Sequence, residues 1–121
     1  MTFAEFIRFV LWEVDNAPEV NKHWRPQFDI CAPCYVHYDY YCYYETLHQD
    51  AKFIMSKIAA GSNVTFPLSE IGGSARGSDK YLKLFDNIPT SNIRRIVNMY
   101  RNDYRVLGYQ IPDKIQRRLS E

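Results

Sequence analysis

The sequence predicts a mostly helical chain with at most one or two short strands, and three observations carry that expectation. Apolar residues recur at helical spacing in three stretches, Thr residues stand at or just before the heads of those stretches, and a single short run alternates as a strand does. So little strand does not make a self-sufficient sheet. At 121 residues, 46% hydrophobic and 24% charged, the chain suits one small domain with a core and is too apolar for a disordered tail.

The first element follows from Thr2, Phe3, Ala4 and Glu5, which spell a capping box. Phe3, Phe6, Ile7, Val10, Leu11 and Val14 then lie on one face, so a helix is expected over about residues 3–14, ended by Asn16, Ala17 and Pro18. Residues 17–34 hold three prolines and read as an irregular, aromatic-rich loop. Tyr35 to Tyr40 alternates and reads as a short strand. Thr46 to Gln49 spells a second capping box, opening a helix through Phe53, Ile54 and Ile58 that Gly61 closes. Ser62 to Gly77 is rich in Gly and Ser and reads as a loop. A short helix from about Asp79 to Phe85 leads to Thr90, the expected cap of a longer helix with Ile93, Ile96, Val97, Tyr100 and Tyr104 on one stripe, stopped by Gly108.

Charge narrows the class of partner. The net charge is +1, yet residues 1–75 carry five Lys/Arg against nine Asp/Glu and residues 76–121 carry ten against five. A basic half suits an anionic ligand, whereas a nucleic-acid binder is usually more basic overall. No apolar run reaches the ~20 residues of a bilayer span. The Met1 to Glu5 start has no signal-peptide character, so neither anchor nor export signal is expected within the chain.

Chemistry-bearing residues crowd between His23 and Tyr40, and six of the ten tyrosines lie in Tyr35 to Tyr44. Cys31, Ala32, Pro33 and Cys34 form a Cys-x-x-Cys pair that reads as a short disulfide, a redox pair or half a zinc site; spacing alone does not separate these. A redox pair needs a following helix and a βαβ context. A zinc site would recruit His23 or His37, with Cys42 as a further candidate, across the expected strand, where alternate side chains point oppositely so that His37 and Cys42 do not easily converge. No metal site is therefore assigned. Arg25 suits bidentate binding of a sulfate or carboxylate, or an ion pair with Asp29 or Asp39. Arg94, Arg95, Arg101 and Arg105 read as solvated, and Asp39 and Asp50 as cap or ion-pair residues. Asn63, Val64 and Thr65 form a glycosylation sequon.

Six motifs in order carry a resemblance: Phe3 to Phe6; His23, Trp24, Arg25, Pro26 and Gln27; Cys31 to Cys34; Tyr38 and Asp39; Glu45 to Leu47 with Asp50 and Ala51; and Tyr100 to Tyr104 with Leu107 to Tyr109. Together they resemble the C-terminal part of the Golgi carbohydrate sulfotransferases, the family of the chondroitin, dermatan and HNK-1 sulfotransferases. The departure from its pattern is Cys42 at a usual glycine and Tyr43 at a usual lysine.

The resemblance implies an α/β, P-loop-like sulfotransferase domain of which residues 1–121 are the C-terminal, mostly helical portion. It also implies transfer of a sulfuryl group from the co-substrate 3′-phosphoadenosine 5′-phosphosulfate to a glycan hydroxyl, without a permanently bound cofactor or metal. The phosphate loop and the catalytic base are expected upstream, so no catalytic residue is assigned here and the chain by itself is expected to be inactive. Ser74 and Arg76 are the expected donor contacts, and His23, Trp24 and Arg25 the acceptor contacts. Cys31 and Cys34 are expected in a structural disulfide, with each other or with an upstream partner, and Asn63 as a glycosylated residue. Location on the luminal side of the Golgi membrane, through an anchor outside the chain, completes the expectation, with a glycan acceptor and no nucleic acid as partner. The rival is a stand-alone, non-enzymatic binding module stabilised by its Cys and His residues.

Overall fold

A computed structural model describes residues 1–61 and 81–121, which fold as six α-helices and two 3₁₀ turns without a strand among the described residues. The chain forms two compact units, Met1–Val36 with Asp79–Glu121, and His37–Ser78.

In the larger unit, α1 (Phe3–Asn16) begins at the expected capping box. The Thr2 N–H donates to Glu5 Oε2 at 2.7 Å and the Glu5 N–H to Thr2 Oγ1 at 3.3 Å. The bond from the Thr2 N–H, with the Thr2 side chain second, favours the charged carboxylate and holds the Glu5 carboxyl below its ordinary range. Ala17, extended ahead of Pro18, ends the helix with its N–H on the Glu13 carbonyl.

The core lies where the inner face of α1 meets the C-terminal helices. Ile7 and Leu11 pack into one cluster with Leu82, Ile88, Ile93 and Ile115, and Ile93 is 1% exposed. Each such side chain contributes about 1.5–3 kcal/mol through removal from water. Phe3 packs edge-on against Phe85, ring centres 5.0 Å apart.

The C-terminal half departs from expectation in three ways. Tyr81–Phe85 is a 3₁₀ turn. The expected long helix is two: α4 (Thr90–Met99) and α5 (Arg101–Val106) meet at Tyr100. Thr90 is not the cap of α4. Pro89 holds that position, its carbonyl accepting from Asn92 and Ile93, and the Thr90 hydroxyl accepts from Arg118 instead. Gly108, at φ 74°, follows α5.

The sixth helix, α6 (Asp113–Ser120), was not anticipated. Pro112 starts it, and Ile115 and Leu119, four residues apart, turn to the core. Arg118 on α6 donates to the Phe85 and Ile88 carbonyls at 2.6 Å each and so fastens the segment before α4. Arg94 and Arg95 are exposed, as expected, and also make surface contacts, Arg94 to the Leu119 carbonyl and Arg95 to the Asp15 carboxylate at 2.6 and 2.7 Å.

The expected loop at 17–34 contains a helix, α2 (Gln27–Cys31). No side chain of its own neighbourhood caps it. The Asp103 carboxylate of α5, 8% exposed, accepts from the Gln27 and Phe28 N–H groups at 2.9 and 2.8 Å. That places a negative charge on the two leading donors of the helix, which would otherwise lack acceptors.

In the smaller unit, the strand expected at Tyr35 to Tyr40, which also runs across the boundary between the units, does not form. A strand needs a partner, and Tyr35, Val36, Tyr38 and Tyr40 are each exposed, so the alternation has no buried face. A 3₁₀ turn at Tyr44–Thr46 runs into α3 (Leu47–Ile58). Because Thr46 already lies in that turn, its capping box is absent: its hydroxyl bonds to Asp50 Oδ2 at 2.5 Å, and the same oxygen accepts from the Tyr43 N–H. Asp50 thus ties the 3₁₀ turn to the first turn of α3. Tyr40 lies edge-on to Phe53, over whose ring the Lys57 ammonium sits 5.4 Å from the centre. Gly61 at φ 85° follows α3 in the conformation that favours glycine.

Two outcomes follow from these contacts. Asp103→Ala strands two backbone donors and should lower the unfolding free energy by roughly 1–3 kcal/mol for each donor that stays dry, read as a fall in the urea midpoint; an unchanged midpoint contradicts the cap. Burial, followed by the Asp103 charge, raises both Tyr100 and Tyr104 above the ordinary phenol value of 10.0. The folded state therefore binds these protons more tightly, so their contribution is whole below about pH 10 and is lost as pH rises through the raised values. Thermal unfolding should show a falling midpoint above pH 10 that is blunted in Tyr100→Phe/Tyr104→Phe.

Candidate functional site

The segment His23, Trp24, Arg25 is held from three sides. Glu13 of α1 accepts the Trp24 indole N–H at 2.7 Å and the Asn21 N–H at 2.9 Å on the same carboxylate oxygen. The Asn21 side chain accepts from the His23 N–H at 3.0 Å, while its backbone carbonyl accepts from the Trp24 and Arg25 N–H groups at 3.1 and 3.0 Å. Asparagine suits this turn because its short amide reaches the backbone two residues on. From the junction of α4 and α5, the Tyr100 hydroxyl donates to the Trp24 carbonyl at 2.5 Å. Asp103 fixes the next two residues after Pro26, as described above.

These contacts sort the expected acceptor residues. Trp24 is half-buried, its ring edge-on to Phe6 at 5.6 Å and to Phe9 at 5.8 Å. Both faces of its chemistry, ring and N–H, are engaged within the fold. Arg25 pairs with Glu19, rather than with Asp29 or Asp39, and its Nε and Nη2 donate to the Val20 carbonyl at 3.1 and 2.9 Å. Its side chain retains 25% exposure on the wall of a shallow cleft of about 370 Å³ lined also by Val14, Val20, Pro26, Asp29 and Met99. His23 is exposed, and its backbone N–H is tied to the Asn21 side chain.

Cys31 and Cys34 are not bonded to each other in this structure. The Cys31 thiol, at the end of α2, donates back to Gln27 Oε1 at 3.6 Å. Ala32, at φ 45°, then reverses the chain, its carbonyl accepting from the Tyr35 and Val36 N–H groups, and leaves Cys34 exposed. No group of three or more His, Cys, Asp or Glu side chains suited to a metal occurs among the described residues. Ser74, Arg76 and the sequon Asn63 lie outside the described residues, as does the glycine-rich loop. None of the described helices is long and apolar enough to cross a membrane.

Sequence reasoning missed Glu13, Asn21 and the contacts of Tyr100 and Asp103. The last two stood inside a motif singled out for its pattern, and their partners lie 75 and 76 residues away. Only the fold brings the two motifs together.

Comparisons with known proteins agree with the arrangement of motifs. A family model described as the sulfotransferase family matches residues 1–110. The chain is 30% identical over 114 residues to carbohydrate sulfotransferase 14 of Danio rerio, covering 93% of this chain and 30% of that protein. It is 31% identical over 118 residues to carbohydrate sulfotransferase 11 of the same fish, covering 93% and 33%. Against carbohydrate sulfotransferase 10 of Gallus gallus the figures are 30% over 118 residues, again 93% and 33%. The chain thus spans about a third of the length of these relatives. No solved structure matches it. The rival reading as a stand-alone binding module finds no support, and the match over nearly all of its length establishes that the chain belongs to the sulfotransferase family.

Proposed function

We propose that residues 1–121 are the C-terminal portion of a carbohydrate sulfotransferase domain whose complete form transfers a sulfuryl group from 3′-phosphoadenosine 5′-phosphosulfate to a glycan hydroxyl. The observation that carries this reading is the family match over residues 1–110. In the reaction the acceptor hydroxyl loses its proton, an oxygen–sulfur bond forms to the glycan, and the sulfur–oxygen bond to 3′-phosphoadenosine 5′-phosphate breaks. Such a transfer needs cations and N–H donors on the departing phosphate, a positioned acceptor and a base.

On this reading the chain's own share is acceptor positioning and part of donor binding. Ser74 and Arg76 meet the donor's phosphate. His23 faces the glycan, while Trp24 and Arg25 act chiefly by holding its loop, Arg25 keeping one edge on the cleft. The P-loop-like half of the α/β fold, the phosphate loop and the base belong to sequence outside these residues. A glycan is the partner, and the luminal side of the Golgi membrane the place. In that oxidising compartment Cys31 and Cys34 leave the thiol state for a structural disulfide, and Asn63 carries a glycan.

The purified 121-residue chain, given radiolabelled donor, should transfer no sulfate to chondroitin, dermatan or glucuronyl-capped glycans; detectable turnover would show that it holds a complete site. A chimera in which residues 1–110 replace the matching part of carbohydrate sulfotransferase 14 of Danio rerio should transfer sulfate. Arg76→Ala in that chimera should raise the donor KM about tenfold and leave the acceptor KM unchanged, the size of one charge-assisted phosphate contact. Equal KM values with and without Arg76 would remove it from the donor site.

The thiols provide a separate check. Protein secreted from eukaryotic cells should react with at most one equivalent of an alkylating reagent under denaturing conditions, at Cys42, as mapped by mass spectrometry. Alkylation at all three cysteines would contradict the disulfide.

A further inference from the structure

We infer that Tyr100 and Asn21 are positioning residues that present the His23 imidazole to the glycan acceptor. The inference deepens the proposed function and rests on it for the identity of the ligand. Its structural part stands on contacts alone. The peptide groups around His23 are fixed on both sides: its own N–H is held by Asn21 Oδ1 at 3.0 Å, the Trp24 N–H by the Asn21 carbonyl, and the Trp24 carbonyl by the Tyr100 hydroxyl at 2.5 Å. With three of the neighbouring backbone groups held in this way, less than the full loop remains to be ordered around the two side-chain torsions of His23 when a ligand binds. A smaller ordering cost means tighter binding for the same contacts.

Among the three consecutive residues, His23 is also the most exposed to a ligand. The Trp24 indole is occupied by Glu13, Phe6 and Phe9, and the Arg25 guanidinium by Glu19 and the Val20 carbonyl. His23 by contrast is exposed. An imidazole can accept from a sugar hydroxyl or donate to a sulfate or uronate oxygen, which are the groups a glycosaminoglycan offers. Tyr100 is suited to its part, since burial and the neighbouring Asp103 charge both raise it and keep the phenol protonated as a donor.

The test has two arms, one on the 121-residue chain and one on the chimera. Tyr100→Phe removes a single hydroxyl and keeps the ring, and Asn21→Ala removes the other hold. In the chain, amide exchange followed by NMR should quicken at His23, Trp24 and Arg25 by about three- to tenfold in each variant, the factor expected from one neutral hydrogen bond, while Ile7 and Leu11 in α1 keep wild-type rates. Tyr104→Phe, one turn further on in α5, is the control and should leave the loop amides unchanged. In the chimera, with chondroitin as acceptor, His23→Ala, Tyr100→Phe and Asn21→Ala should each raise the acceptor KM while leaving the donor KM and kcat near wild type. A merely structural residue would lower the active fraction, and so kcat, without this split. Unchanged loop exchange in both variants overturns the positioning. Quickened exchange with an unchanged acceptor KM in an active chimera overturns the role of His23. An inactive chimera with quickened exchange supports the positioning and contradicts the sulfotransferase reading itself.

Discussion

The Asp103 carboxylate, two oxygens on two consecutive backbone N–H groups of α2, is the constraint on which the rest of the larger unit's site depends. A five-residue helix does not persist by itself, because the cost of its first turn is not recovered over so few residues. Supplying its leading donors with a nearly buried anion offsets that cost. It also ties the chain after Pro26 to α5, and α5 is joined through α4 to the Ile93 core. The stretch before Pro26 is then short, and three further contacts, from Glu13, Asn21 and Tyr100, are enough to fix it. The polar anchors are each backed by apolar packing. Trp24 fills the space between Phe6 and Phe9, so the loop is held by ring contacts as well as by hydrogen bonds.

This construction explains how a segment dominated by chemistry-bearing residues can stay ordered with neither a cluster of metal ligands nor a strand among the described residues. The charged and aromatic side chains that suggest binding in a sequence are here used largely on one another. Arg25 meets Glu19 and a carbonyl, and Trp24 meets a carboxylate. The exposed functional group is the less conspicuous His23. A division of this kind, with most members of a motif fixing one member in place, follows from the cost of ordering groups at a site that must be ready before the ligand arrives.

Much of the local fold was legible from residue spacing. Thr2 with Glu5, the apolar stripe from Phe3 to Leu11, and Pro18 define α1 almost to the residue, since cap, face and stop are all local signals. The stripe of α3 was equally clear, but its cap was misread because Asp50 takes the Thr46 hydroxyl. Tyr100 and Tyr104 continue the stripe of α4 while the backbone bends at Tyr100, a departure that periodicity does not register. The local signals for α6 are Pro112 followed by Ile115 and Leu119 four residues apart, too short a stripe to stand out against the polar residues around it. α2 had no local signal at all, for its cap comes from 75 residues away. The same reason hid the site: the residues of the His23 segment could be picked out by type, but which of them is free to bind depends on Glu13, Tyr100 and Asp103.

The most direct test of this account is a measurement of scalar coupling across hydrogen bonds in the isotope-labelled chain, from the amide nitrogens of Gln27 and Phe28 to the side-chain carboxyl carbon of Asp103. Resolved couplings from both amides, lost when the Asp103 carboxylate is removed, are the predicted result. Folded protein in which neither amide couples to that carbon would contradict the claim that α5 holds α2, and with it the physical basis for the ordered His23 segment.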